Sequence, residues 1–145
     1  MDNLNKHTKS SLETENLGVE FSKKISQGTI ITLNGDLGSG KTTFVKGVLK
    51  GFNYIDEVTS PTYTLINEYN ADYKIIHIDC FREKNIDRWL NIGLIDYFTE
   101  ENILFIEWPN NIKDILYYRK VINLNFKIKD LNERLISIQK MNHYE

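Results

Sequence analysis

The run GDLGSGKT, Gly35 to Thr42, constrains this chain more tightly than any other stretch of its sequence. It fits the pattern G-x-x-x-x-G-K-[ST] at every fixed position, and its flanks fit too. TIITLN, Thr29 to Asn34, is short, β-branched and bounded by glycines, which suits a buried strand. TTFVKGVLKGF, from Thr42, reads as a helix closed near Gly51. Between a strand and a helix, the glycines let the chain curl until successive N–H groups converge on phosphate oxygens, and the helix adds its positive end. Lys41 is then placed to reach the β- and γ-phosphates of a nucleotide, and the Thr42 hydroxyl to complete the shell of a Mg²⁺ ion.

Such an ion also needs a carboxylate, usually from the end of a neighbouring strand. Two apolar runs deliver one. Ile75 to Asp79 ends in Asp79, and NILFIEW, Asn102 to Trp108, carries Glu107 near its end. The second run is apolar on consecutive residues, which requires cover on both faces and marks a central strand. Open α/β sheets place their ligands at the carboxyl ends of their strands, so a division of labour follows, one acid on the metal and one on the attacking or metal-bound water.

The remaining periodicities complete an α/β reading. Glu13 to Ser26 spaces Leu17, Phe21 and Ile25 as an amphipathic helix ended by Gly28, and Asn85 to Phe98 spaces Ile86, Leu90 and Leu94 the same way. Tyr63 to Tyr69 and Lys74 to Asp79 flank the turn-forming NAD and read as a hairpin. Val121 to Ile128 and Arg134 to Gln139 alternate apolar and polar residues around KDLNE, as an antiparallel hairpin with one wet face does. The expectation is a single P-loop NTPase domain over residues 1–145, with residues 1–10 flexible. Helices would flank a central mixed, largely parallel sheet, and a C-terminal antiparallel hairpin would follow.

Acids and bases are well mixed, with a net charge of -2, so the basic stripe of a self-sufficient nucleic-acid binder is missing. The single cysteine, Cys80, cannot form an internal disulfide. No apolar run reaches the roughly 18 residues that span a bilayer. The polar start MDNLNKHTKSSLETEN lacks the apolar core of a secretory signal, and the expected location is the cytoplasm, with no membrane partner.

Four motifs in order, GDLGSGKTTF, SPTYTLINEY, HIDCFR and IEWP, resemble the TsaE (YjeE) family over roughly Ser11 through Arg134. The resemblance implies a small ATPase that acts with the TsaB and TsaD proteins to make threonylcarbamoyladenosine at position 37 of tRNA. The transfer itself falls to TsaD, and tRNA is met indirectly through the complex. It implies that Gly35, Asp36, Leu37, Gly38, Ser39, Gly40, Lys41, Thr42 and Thr43 bind the phosphates of ATP. Thr42 and Glu107 would ligate Mg²⁺, and Asp79 would be needed for hydrolysis. Trp108 would lie near the nucleotide or the partner surface, and Ser11, Asn110 and Arg134 near the nucleotide. The chain departs from the family pattern at Ser39, where Ala is common, at Phe81, where Tyr is common, and at Asn110, where an acid or Gln often stands.

Within SPTYTLINEY, Pro61 fixes one backbone angle and biases Ser60 toward an extended shape. Thr62 and Tyr63 then leave the turn toward the γ-phosphate and Mg²⁺, so Ser60 to Thr64 reads as a switch and Leu65 to Tyr69 as scaffold. His77 shares a strand face with Asp79 and reads first as a structural histidine, second as a base. Arg82 is divided between a phosphate or partner contact and a structural salt bridge. Cys80, Trp89 and the Tyr117–Tyr118 pair read as core or helix-surface side chains. The competing function is a small-molecule kinase, which needs an arginine-bearing lid against water. NNIKDILYYRK supplies only Arg119. A nucleotide-sensing module without turnover fits poorly with the paired acids, and no Asn-Lys-x-Asp guanine signature occurs.

Overall fold

Apolar strands that need cover on both faces end up in the middle of the sheet. In the computed structural model, which describes residues 3–58 and 64–145, these are β2 (Ile30–Asn34), β4 (Lys74–Asp79) and β5 (Ile103–Glu107), joined in the interior by the alternating β6 (Val121–Ile128). β2 runs parallel to both β5 and β6, and β5 runs parallel to β4. Antiparallel strands close the two sides: β3 (Ile66–Asn70) on β4, and β7 (Arg134–Met141) on β6. The seven-stranded order is β1-β7-β6-β2-β5-β4-β3, a mixed and largely parallel sheet. The C-terminal hairpin has the expected pairing, with Ile128 opposite Arg134, and its wet face carries the exposed Asn125.

The outermost strand has no counterpart in the sequence pattern. Residues 1–10 read as flexible, yet β1 (Leu4–Thr8) pairs antiparallel with β7, Leu4 opposite Ile138 and Thr8 opposite Arg134. LNKHT has no apolar alternation because only Thr8 on this edge strand is buried. Backbone hydrogen bonds to a distant partner hold it, and a local pattern cannot announce them.

Two helices, α1 (Ser11–Ser22) and α2 (Lys41–Gly51), cover one face of the sheet. Phe44, Val45 and Val48 of α2 pack with Phe21 of α1 on Ile31, Leu33, Ile75 and Phe105. The two helix backbones touch. A Cβ on Gly18 would lie 2.2 Å from the Phe44 carbonyl oxygen, and one on Gly47 would lie 1.9 Å from that of Glu15. α1 begins earlier than its apolar spacing suggested, because Ser10 caps it, its Oγ accepting from the Glu13 N–H at 3.1 Å. It also ends earlier, where the Ser22 hydroxyl donates back to the Val19 carbonyl at 2.6 Å.

On the other face Ile76, Ile78, Leu104 and Ile106 meet Trp89, Leu94 and Leu116. The expected helix from Asn85 to Phe98 is two pieces, α3 (Ile86–Asn91) and a 3₁₀ turn at Leu94–Tyr97, separated by Gly93 at φ 82°. Within α3, Leu90 is 46% exposed, and its neighbour Trp89 is the fully buried residue. A second 3₁₀ turn, Pro109–Ile112, leads into the short α4 (Lys113–Leu116). β3 starts three residues later than expected, since Leu65 sits at φ 66° outside the extended region. The expected switch, Ser60, Pro61, Thr62 and Tyr63, lies outside the described residues.

Candidate functional site

The loop from Gly35 to Gly40 joins the end of β2 to the start of α2. Gly35 has φ 153° and no room for a side chain, since a Cβ there would lie 2.7 Å from the Phe126 carbonyl oxygen. Gly40, at φ 103°, is the N-cap of α2 and offers no capping side chain. The first N–H groups of an eleven-residue helix are therefore left without intrahelical partners, facing whatever enters the loop. Lys41 opens this helix, is 5% exposed, and donates through Nζ to the Gly35 carbonyl.

Parallel pairing brings the two acids together. β4 and β5 run in register with Asp79 opposite Glu107, at the carboxyl ends of adjacent strands and beside Leu33 of β2. Glu107 divides its carboxylate between two partners. Oε1 stands 3.6 Å from Lys41 Nζ, and Oε2 lies 2.8 Å from His77 Nε2, every one of these side chains buried. Burial alone would raise the Glu107 pKa. The hydrogen bond from His77 and the charge of Lys41 outweigh it and hold the carboxyl below its ordinary value, so it is ionised at neutral pH. Asp79 accepts from the Phe81 N–H at 2.9 Å. Burial, with Asp79 and Glu107 nearby, pushes the Cys80 thiol far up, so Cys80 is an inert core residue.

A cleft of about 210 Å³ opens over this arrangement. Leu37, Gly38 and Gly40 of the loop and Lys41, Thr42 and Thr43 of α2 form its floor, with Asp79 and Glu107 on one wall. Ser11 at the start of α1 and Arg134 at the start of β7 also line it. The Thr42 hydroxyl and the two carboxylates are hard oxygen donors, the kind Mg²⁺ takes, alongside phosphate and water. No cluster of three or more His, Cys, Asp or Glu side chains poised for a metal occurs among the described residues.

Other expected residues lie outside the cleft. Asp36 is exposed on the loop, and Ser39 is buried beneath it, its Oγ without a hydrogen-bond partner among the described residues. Arg82 is exposed beyond the end of β4. Trp108 adopts a left-handed backbone, φ 54°, and its ring lies 5.1 Å from Lys41 Nζ and 4.8 Å from the ring of Phe81. Asn110 follows two residues later. Rather than lining the cleft, its Oδ1 accepts from the Tyr144 hydroxyl at 2.6 Å, and Tyr144 packs in the apolar cluster on the far face of the sheet.

Four cleft residues went unnoticed in the sequence: Ser10, Thr14, Leu131 and Asn132. Ser10 had a signal, since Ser10 to Glu13 spells the S-x-x-E capping pattern. Thr14, whose hydroxyl bonds that of Thr8 at 2.7 Å, and the turn residues Leu131 and Asn132 reach the cleft only through the unforeseen β1–β7 pairing and the hairpin fold.

The family model for threonylcarbamoyl adenosine biosynthesis protein TsaE matches residues 8–136. The TsaE protein of Rickettsia typhi is 36% identical over 135 residues, covering 92% of each chain. That of Haemophilus influenzae is 38% identical over 110 residues, covering 74% of this chain and 70% of its own. The crystal structure of YdiB from Bacillus subtilis superposes with a TM-score of 0.81 at 29% identity, over 99% of this chain and 89% of that one. No helix of the described residues is long and apolar enough to cross a membrane. With the P-loop-type fold in place, the chain belongs to the TsaE family of tRNA threonylcarbamoyladenosine biosynthesis.

Proposed function

We propose that this protein is a cytoplasmic, Mg²⁺-dependent ATPase that serves threonylcarbamoyladenosine modification of tRNA together with TsaB and TsaD, and that it hydrolyses ATP slowly by itself. The observation carrying this reading is the convergence of Lys41, Thr42, Asp79 and Glu107 on one cleft at the start of α2. Lys41 and the N–H groups of the loop hold the β- and γ-phosphates, and Thr42 and Glu107 hold the ion. Mg²⁺, when bound, supplies charge neutralisation on the phosphates. Asp79 orients a water for attack on the γ-phosphorus. The P–O bond to the bridging oxygen breaks, and ADP and phosphate leave.

Lys41 is engaged with Glu107 and the Gly35 carbonyl, so an incoming phosphate draws it from one anion to another and leaves a Glu107 oxygen to the ion. Slow turnover alone follows from the arginines: Arg134 lines the cleft but is spent on backbone carbonyls of its turn and of Gly38. The kinase reading gains no support. Arg119 stacks at 4.6 Å on Phe98 and donates to the Ile115 carbonyl, so it makes no lid.

The test is ATP hydrolysis measured for the protein alone, with TsaB and TsaD, and with tRNA added. Slow turnover raised by TsaB and TsaD is the expected result. A thousandfold gain from a small acceptor, with none from TsaB and TsaD, would establish the kinase instead.

A further inference from the structure

His77 is fully buried on the face of β4 that carries Asp79, and it does not line the cleft. Among the described residues its Nε2 meets Glu107 Oε2 at 2.8 Å. An ionised carboxylate only accepts, so the imidazole proton of this bond sits on Nε2, and Nδ1 is left with no partner among the described residues. A buried orphan nitrogen carries a cost, and a histidine kept at that cost for one hydrogen bond points to the bond as its purpose. The two oxygens of Glu107 differ in the permanence of their partners. Lys41 sits on the phosphate loop and has other work there, whereas His77 is fixed inside the sheet.

Resting on the Mg-ATPase reading above, we propose that His77 is the positioning residue of Glu107. It holds Oε2 from behind, so that Oε1 stays aimed into the cleft for the ion when Lys41 moves to phosphate. Outer partners of metal-binding carboxylates act in this way, and their loss typically lowers metal affinity about 10- to 100-fold. His77 touches neither nucleotide nor water in this role, and it is not a base.

The experiment measures the affinity of the full chain for a fluorescent ADP with and without Mg²⁺, in wild type, His77→Leu and His77→Gln. The glutamine amide nitrogen reaches where the imidazole Nε2 sits. In His77→Leu the gain in affinity from Mg²⁺ falls about tenfold or more, while metal-free affinity stays within about threefold. In His77→Gln the gain returns to within about threefold of wild type. Should His77→Leu not fold, judged by circular dichroism and thermal unfolding, His77→Asn replaces it, since its shorter amide reaches only the Nδ1 position. An undiminished Mg²⁺ gain in His77→Leu overturns the proposal, as does a parallel loss of metal-free affinity in the Leu and Gln variants. A wild type with no Mg²⁺ gain at all overturns the metal reading itself, and is seen before any variant is made.

Discussion

The guanidinium of Arg134 donates to the Gly38 carbonyl at 3.0 Å, binding the first residue of β7 to the tip of the phosphate loop. The same side chain donates to the carbonyls of Asp130, Leu131 and Glu133, so it organises the hairpin turn and the loop together. Arg134→Ala is expected to weaken ADP binding about tenfold, the equivalent of one charged hydrogen bond of about 1.4 kcal/mol. Arg134→Lys restores little, because an ammonium lacks the planar fork. Calorimetric titration with ADP decides it, and affinity within twofold of wild type would leave Arg134 a turn residue only.

Lys41→Met removes the cation from a buried pair as well as from the phosphate site. Nucleotide affinity should fall at least about a hundredfold. Without nucleotide, urea unfolding should show a loss of about 1–3 kcal/mol, smaller than for a carboxylate stranded without any partner, because His77 remains on Glu107. Adding Glu107→Gln to Lys41→Met should recover part of that loss. Additive losses would show that the two residues do not interact.

The adjacent acids are expected to separate by readout. Glu107→Gln should flatten the dependence of nucleotide affinity on Mg²⁺, while Asp79→Asn should lower partner-stimulated hydrolysis at least about tenfold and leave that dependence intact. The opposite pattern would exchange their roles.

Gly47→Ala tests the contact between the two helices. Alanine favours a helix by about 1 kcal/mol over glycine, which taken alone predicts stabilisation. The Glu15 carbonyl, 1.9 Å from the new methyl, is backbone and cannot step aside. Denaturant unfolding should show a loss of about 3 kcal/mol or more, and a gain would mean that the helices part freely.

Asn110→Ala should leave ADP affinity within about twofold while costing about 1 kcal/mol of stability through the lost Tyr144 bond. Tyr144→Phe should cost a similar amount, and the double variant little more than either alone. An ADP affinity lowered tenfold by Asn110→Ala would return that residue to the cleft.

The parts legible from sequence were those with a local cause. Glycine spacing marked the phosphate loop, and unbroken apolar runs marked β2, β4 and β5. Because both acids end such runs, Asp79 and Glu107 were visible before their pairing was. Parts set by distant partners were hidden. LNKHT has no strand pattern because β7 makes it a strand, and the bond of Asn110 to Tyr144 is hidden because its partner lies 34 residues on. Leu90 has the spacing of a core residue, yet α3 packs its neighbour Trp89 inward instead.

The pairing of β1 with β7 also brings early and late parts of the chain to one place. Ser10 and Ser11 follow the first strand, and Arg134 begins the last, yet all three line one cleft. A chain emerging from the ribosome has made its phosphate loop, Asp79 and Glu107 long before it makes β7. Until that strand arrives, the loop from Gly35 to Gly40 lacks its arginine tether and the cleft lacks part of its lining, so the complete cleft forms only with the last strand.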